Sequence, residues 1–440
     1  MKKRNKKPLV SVLTPLYNAE KYILKQMNSV LGQSYENIEF IIVDDCGNDN
    51  SVRLVLKNND ERIIIKNNIK NIGIVKSTNE ALKIAKGKYI VFLDDDEIIP
   101  FDRIESQVSY LEANPSIGLV IGKTVNIDEN DNYLNEINLF MRRPDELRAM
   151  LLFQNYIGNG ATMVRREVIE KNNIIFQEES YGMQDYLFYT KLSKITKFSM
   201  INQIALFHRL HEENASKKIS NNYKNNRSKC YAENQKWLLE KNGFFLDDKE
   251  IRTFTKCYCE NINSKIDSEN IKEVITILKK LDRMNQEKNT YDAMEFRNVL
   301  RFQLYRLINS VGYDSDDDEL NMAVSLIMNE KYYRNFTNIN INRPNIIIIG
   351  SGLFFQNRIF SKIFEEVNLI GLHDNDINKH GKCMFGLLVE PVENIIKKDY
   401  DYCIIMSSLF EDIKSQIIGL GVPKEKILSY VEFSQMDDGY

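Results

Sequence analysis

One stretch constrains this chain more than any other: Lys88 to Pro100, KYIVFLDDDEIIP. An apolar run, Tyr89 to Leu93, stops at four consecutive acids, Asp94, Asp95, Asp96 and Glu97. A short apolar run bounded by polar residues predicts a buried strand. Acids at its end do nothing for stability by themselves, because they repel one another and lose hydration when buried. At the carboxyl end of a strand in an alternating α/β sheet, they stand where such sheets bind ligands. Hard carboxylate oxygens there suit Mg²⁺ or Mn²⁺, with diphosphate oxygens completing the coordination. A solvated acidic turn is the plainer reading of the same residues, and the flanking sequence has to decide.

Upstream, Leu9 to Leu13 predicts a first buried strand, broken by the turn residues Thr14 to Asn18. Tyr22 to Leu31 has helical spacing, with Ile23, Met27, Val30 and Leu31 along one side. Phe40 to Val43 predicts a second strand, ending at Asp44 and Asp45, before the polar turn Cys46 to Ser51 and a short helix. Ile63 to Ile65 predicts a third strand, and Gly73 to Ala85 a helix closed by Gly87. Strand and helix alternate, so a mostly parallel α/β sheet is expected. Two of its strands end in carboxylates, which argues for a nucleotide cleft at the carboxyl edge. The first pair suits a base or ribose, the second a metal on phosphate. Neither GxxxxGK[ST] nor a GxGxxG after the first strand is present here, which disfavours the familiar phosphoryl-transfer and nicotinamide recipes.

These residues carry a resemblance. VSVLTPLYNAEKYILKQMNSVLGQSYENIEFIIVDDCGNDNS followed by NIGIVKSTNEALKIAKGKYIVFLDDDEIIP resembles the opening of family 2 of the inverting glycosyltransferases. The resemblance spans roughly residues 8 to 218 and implies the A-type nucleotide-sugar-binding fold. It implies a base contact for Asp45 and a pocket-lining loop at Pro15, Tyr17 and Asn18. The DxD motif falls on Asp94 and Asp96, with Asp94 and Asp95 near ribose and phosphates and Asp96 the direct metal ligand. Where many members carry Arg on the helix containing Asn79, this chain has Thr78, with Lys76 nearby as the phosphate-contacting cation. The family's Glu-Asp pair reads Gln184-Asp185, so Asp185 is the implied catalytic base. By residue type alone, an Asp at a helix start also serves as an N-terminal cap. The family's Arg-x-His segment matches Arg209 and His211, implying phosphate neutralisation and a metal or diphosphate contact. Tyr156 to Arg166 resembles the strand and turn beside the donor sugar, where Gly158 and Gly160 allow close approach. Met141 to Phe153 is irregular to helical and suits an acceptor wall.

Beyond Ala215 the composition shifts to Asn, Lys and Ser, then to helical stretches such as Ile271 to Leu281 and Val299 to Ile308. Asp314 to Glu319 reads as an acidic connecting loop without the spacing of a calcium site. From Arg343 a further α/β pattern begins. Ile346 to Ile349 predicts a strand followed by Gly350-Ser351-Gly352, Leu353 to Phe364 a helix, Leu369 to Leu372 a strand ending at Asp374, and Tyr402 to Met406 another. This resembles the small Rossmann-like domains attached to bacterial sugar-modifying enzymes. Gly350, Gly352 and Asp374 outline a second nucleotide site, although Phe355 at the third glycine position crowds a pyrophosphate. A docking or dimerising domain is the other reading. The expected organisation is therefore residues 8–218 catalytic, 219–342 a helical accessory segment and 343–440 Rossmann-like.

Composition narrows function further. A net charge of -3 over 440 residues offers no global attraction for nucleic acid. Six cysteines without metal or disulfide spacing fit a reducing cytoplasm. The basic start MKKRNKKP lacks a signal-type apolar segment, and no stretch reaches transmembrane length. A cytoplasmic protein is expected; the basic tip suits the anionic inner membrane face or, more simply, a frayed solvated terminus. The expected partners are a nucleoside-diphosphate sugar, most simply a UDP-sugar, Mn²⁺ or Mg²⁺, and a glycan, lipid-linked glycan or protein acceptor; the chain itself is a candidate homodimer. An inactive glycosyltransferase-like scaffold and a metal-dependent nucleotidyltransferase remain the competing functions.

Overall fold

A computed structural model of the chain describes residues 7–137, 143–180, 182–212, 214, 221–258, 266, 268–310, 344–351, 367–381, 383–384, 387–407 and 409–429. The chain forms two compact units, Met1–Gly312 and Tyr313–Tyr440. The acidic loop Asp314 to Glu319 and the helix expected over Leu353 to Phe364 lie outside the described residues.

The first unit is built on an eight-stranded sheet. Strand β1 (Val10–Leu16) lies between β2 (Ile38–Asp44) and β4 (Tyr89–Phe92), parallel to both, and β3 (Ile63–Asn67) extends the parallel half. Both faces of these strands are covered, so the sequence shows continuous apolar runs rather than alternation. Val10, Val12, Leu13, Phe40, Ile41, Ile90 and Val91 are fully buried. Helices α1 (Ile23–Leu31), α2 (Ser51–Leu56), α3 (Ile74–Ile84) and α4 (Arg103–Ala113) make the connections. Past β4 the sheet turns mixed. Strand β7 (Thr162–Arg165) pairs antiparallel with β4 and with β5 (Ile117–Ile127), while β6 (Tyr133–Ile137) and β8 (Lys197–Arg209) flank β5.

One boundary differs from expectation. Strand β1 runs through Thr14 and Pro15 to Leu16, instead of breaking at Thr14. Pro15 is tolerated because β4 covers only Val10 to Leu13, so no neighbour on that side needs a donor at Pro15. The turn comes at Tyr17 and Asn18, and Asn18 takes a left-handed backbone with φ 53°.

The helical stretch comprises α8 (Asn221–Lys241), α9 (Asp248–Tyr258), α10 (Ser268–Lys288) and α11 (Ala293–Ser310). In α10, Ile271, Val274, Ile275, Leu278 and Leu281 form one buried stripe at helical spacing. These helices pack on the segment around α5 (Pro144–Met150). Tyr231 Oη and Gln235 Nε2 both donate to the Phe153 carbonyl, at 3.1 and 2.6 Å, and the Phe153 ring meets Phe254 and Tyr258. Two helix starts cap each other. Glu295 accepts from the Asp145 and Glu146 amides at 2.8 and 3.3 Å, and Asp145 accepts from the Asp292 amide at 2.8 Å. Helix N-termini leave amides without intrahelical partners, and these carboxylates supply them.

The second unit holds a six-stranded sheet ordered β11 (Cys383–Met384), β12 (Leu387–Pro391), β10 (Asn368–Asp374), β9 (Asn345–Ile349), β13 (Tyr402–Ile405), β14 (Ile427–Ser429). All neighbours are parallel except β11 and β12. Its core joins Ile347, Ile349, Cys403 and Ile405 to Ile413 and Ile417 of α12 (Phe410–Gly419). Among the described residues, no helix is long and apolar enough to cross a membrane.

Candidate active site

Beyond Leu93, the chain turns through Asp94 to Glu97. The turn is closed at both ends: Asp94 N donates to Glu97 Oε2 at 3.2 Å, and Glu97 N donates to the Asp94 carbonyl at 3.3 Å. Glu97 is buried and lies 2.9 Å from His208 Nδ1. A Cβ at Gly160 would collide with Glu97 Oε2, so this glycine makes room for the acid. Asp95 accepts the Tyr17 amide at 2.9 Å, joining the acidic loop to the end of β1. Burial pushes Asp95 up to about 7 against the pull of that amide.

The end of β8 clasps the same loop. Ile98 and Phe207 exchange backbone hydrogen bonds of 3.2 and 2.8 Å. His211 Nε2 lies 2.7 Å from Asp96 Oδ2, and Asn214 Nδ2 donates to the same oxygen at 3.3 Å. Asn214 also accepts from the His211 amide at 2.6 Å. Arg209 is fully buried; its Nε donates to the Asp96 carbonyl at 2.9 Å and its Nη1 to the Asp128 carbonyl at 3.0 Å. Its charge is met by Asp131 at 2.5 Å and by the ring of Tyr22, whose centroid is 4.8 Å away.

Asp45, 2% exposed, organises the loop before α3. It accepts from Asn68 Nδ2 at 2.9 Å and from the Ile72 and Gly73 amides at 2.8 Å each. These three donors fill three of its roughly four acceptor positions. Asn18 Oδ1 accepts the Asn48 amide at 2.8 Å, pinning the Tyr17–Asn18 turn to the loop after β2. Lys76 pairs with Glu178 at 3.1 Å at the surface, and Thr78 is buried, its hydroxyl donating to Ile74 O.

Asp185 lies on the second residue of α7 (Gln184–Ser193). The N-cap position is Met183, whose side chain does not cap the helix, and Asp185 stands in the first turn. Three phenyl rings set the position of α7. Phe188 stacks on Phe176 at 4.2 Å, and Phe92 meets both edge-on at 5.1 and 5.5 Å. Asn79 fixes Phe176 by exchanging two hydrogen bonds with its backbone, at 2.9 and 3.0 Å. Phe188 follows Asp185 by three positions, about one helical turn, while Phe92 ends β4 two positions before Asp94. The ring contact therefore brings Asp185 toward the acidic loop. The electrostatics agree: burial, then the charges of Glu97, Asp96, Asp185 and Asp95, hold the Asp94 carboxyl well above its usual range. Burial and then the charge of Asp185 likewise push the Tyr189 phenol up.

The structure thus gathers Tyr17, Asp94, Asp95, Asp96, Asp185, Arg209 and His211 at one end of β4. In the second unit, Asp374 at the end of β10 is turned onto the loop after β9 and onto Lys379. It accepts from the Ser351 amide and hydroxyl at 2.7 and 2.5 Å and from Lys379 at 3.1 Å. Gly350 has φ 103° there, and Gly352 lies outside the described residues. Sequence reasoning missed the parts played by Asn214 and Asp131, which no motif marks.

Whether the site suits a divalent ion turns on its donors. Asp96 and His211 offer a hard carboxylate oxygen and an imidazole nitrogen within 2.7 Å of each other, a set suited to Mn²⁺ or Mg²⁺ only with further oxygen donors. Among the described residues, no group of three or more His, Cys, Asp and Glu side chains is placed to hold a metal. The remaining ligands would have to come from a bound diphosphate and water.

Comparison with known proteins places this geometry. Residues 11–172 match the family described as Glycosyl transferase family 2, and residues 342–428 match C2185-like, N-terminal. An uncharacterized glycosyltransferase, MJ1057 of Methanocaldococcus jannaschii, is 32% identical over 209 residues, covering 46% of this chain and 71% of that one. A chondroitin synthase of Escherichia coli is 29% identical over 230 residues, 51% of this chain and 32% of that one. Among solved structures, S. aureus TarS 1–349 in complex with UDP-GlcNAc aligns with a TM-score of 0.48 at 18% identity, over 70% of this chain and 93% of that one.

Proposed function

The chain belongs to glycosyl transferase family 2, and from that premise we propose that it is a metal-dependent inverting enzyme using a nucleoside-diphosphate sugar, a UDP-sugar, as donor. Asp185 takes the proton of an acceptor hydroxyl. The acceptor oxygen attacks the anomeric carbon, and the bond from that carbon to the diphosphate oxygen breaks on the opposite face. The nucleoside diphosphate leaves with the bonding electrons. Asp45 and the Pro15–Asn18 turn hold the nucleoside, and Asp94 and Asp95 face its ribose and phosphates. Asp96 and His211 would hold the divalent ion, which when bound offsets the charge growing on the leaving diphosphate. Aligning donor and acceptor supplies much of the rate advantage.

The observation that carries this reading is the convergence of Asp185 on the acidic loop, through the Phe92, Phe176 and Phe188 contact and through the effect of its charge on Asp94. Similarity to a chondroitin synthase favours a growing glycan among the possible acceptors. The test is Asp185→Asn. It should keep donor affinity and lower single-turnover transfer by roughly 10²–10⁴, the usual worth of a general base. Near-normal transfer would remove Asp185 as the base.

A further inference from the structure

A fully buried arginine is uncommon, and burying its charge is costly unless pairing and hydrogen bonds compensate. Arg209 meets most of that condition by joining its own strand to two other segments, the acidic loop and the turn between β5 and β6, with Nη2 left without a partner among the described residues. Its Nε holds the Asp96 carbonyl, its Nη1 the Asp128 carbonyl, and its charge the Asp131 carboxylate. Its planar face rests on Tyr22, and the same ring lies 5.1 Å from the His211 ring. With no exposed surface, this guanidinium is poorly placed to serve a phosphate directly.

We infer that Arg209 and Asp131 form a positioning pair that fixes the Asp94 to Glu97 loop against β8, so that Asp96 and His211 present a single donor set. The turn between β5 and β6 thereby becomes part of the active-site machinery. Asp131 stands in the left-handed region with φ 73°, a conformation uncommon for residues other than glycine. It is held there by Arg209 and by Lys25 of α1, while Glu129 pairs at 2.7 Å with Lys21, in the turn just before that helix. The guanidinium reaches the two carbonyls and the carboxylate through Nε and Nη1, two donors held apart in one plane, whereas a lysine ammonium is a single compact donor group.

The inference rests on the donor-site reading only for what the loop serves, and the experiment separates the two. Hydrogen–deuterium exchange on the full chain would follow the amides of Asp94, Glu97 and Ile98, each hydrogen-bonded within this clasp. In parallel, calorimetry would measure UDP affinity with and without MnCl₂. Arg209→Lys should speed exchange of those amides about tenfold or more while β1 and β2 are unchanged. Asp131→Asn should act on the same amides, and the double variant should go little beyond Arg209→Lys, as expected for one shared interaction. The Mn²⁺-dependent part of UDP affinity should fall by about tenfold, with metal-free affinity kept within about twofold. Should Arg209→Lys fail to fold, Asp131→Asn carries the test, since its side chain is 35% exposed. Unchanged loop exchange, or faster exchange across the whole sheet, overturns the inference. A loosened loop in a chain that binds no UDP upholds the pair and removes the donor-site reading. Loop exchange and Mn²⁺-dependent affinity both unchanged, in a chain that binds UDP, removes the pair alone.

Discussion

His211 Nε2 lies 2.7 Å from Asp96 Oδ2, although 115 positions separate them in sequence. The contact joins the end of β8 to the turn after β4. It makes the imidazole and the carboxylate one unit, the pair proposed above to hold the divalent ion. Asp96→Asn and His211→Ala should therefore act alike. Each should leave the sheet folded and lower Mn²⁺-dependent UDP affinity by about tenfold or more, and together they should fall well short of additive. Calorimetric titration of UDP in MnCl₂ checks this, and strict additivity would show that the two residues work apart.

Glu295 is predicted to hold the helical stretch to the catalytic sheet. Its carboxylate serves the amides of Asp145 and Glu146 at the start of α5. Glu295→Ala leaves both without that partner and should destabilise the first unit by about 1–2 kcal/mol, the scale of a lost cap. Urea unfolding of the full chain, followed through Trp237 of α8, is the measurement. A change within error would mean that water replaces the carboxylate at no cost.

Much of this architecture was legible in the sequence, for a physical reason. Strands buried on both faces must be apolar throughout, so Val10 to Leu13, Phe40 to Val43 and Ile346 to Ile349 announce themselves. The carboxylates at Asp45 and Asp94 to Glu97 stand out because strand ends rarely collect like charges without a ligand. What was not legible is long-range pairing. Asn214 reaches Asp96 across 118 positions and Asp145 reaches Glu295 across 150, with no local pattern to mark either. Arg209 shows a related limit: the resemblance implied a phosphate contact, but whether a guanidinium points inward depends on acceptors brought by distant segments. Pro15 read as a strand breaker because its tolerance depends on where the neighbouring strand stops.

The second unit should show a specific acid sensitivity. Burial alone would raise Asp374, but the Ser351 hydroxyl and the Asp376 and Ser351 amides, with Lys379, outweigh it and hold the carboxyl below its ordinary value. A carboxyl depressed in the folded state adds stability that is complete above its unfolded value of about 3.9 and disappears as pH falls through the folded value. Asp374→Asn removes that dependence. Hydrogen exchange of β9 and β10 between neutral and acid pH should fall off less steeply in stability for the variant than for the natural chain. Parallel pH profiles would show that Asp374 contributes nothing to acid unfolding.

The last prediction concerns how α7 is aimed. Phe188 stacks on Phe176 at 4.2 Å and meets Phe92 at 5.5 Å, and it lies one helical turn beyond Asp185. Phe188→Leu removes ring volume from a fully buried site, so the neighbours lose contacts and α7 can shift. The stability cost should be about 1–3 kcal/mol, combining a partial cavity with lost ring pairing. The residues proposed to hold the donor sit on the loops after β1, β2, β4 and β8, not on α7, so donor affinity should hardly move. The proposed base, Asp185, does sit on α7, and a base displaced by a fraction of an ångström would lose its reach to the acceptor proton. The variant should therefore lower kcat by about tenfold or more with KM for the donor nearly unchanged. Phe188→Tyr, which keeps the ring, should recover most of kcat if its hydroxyl finds a partner. Equal losses in kcat and donor affinity would mean that Phe188 supports the whole sheet end, and the aiming role of the three rings would fall.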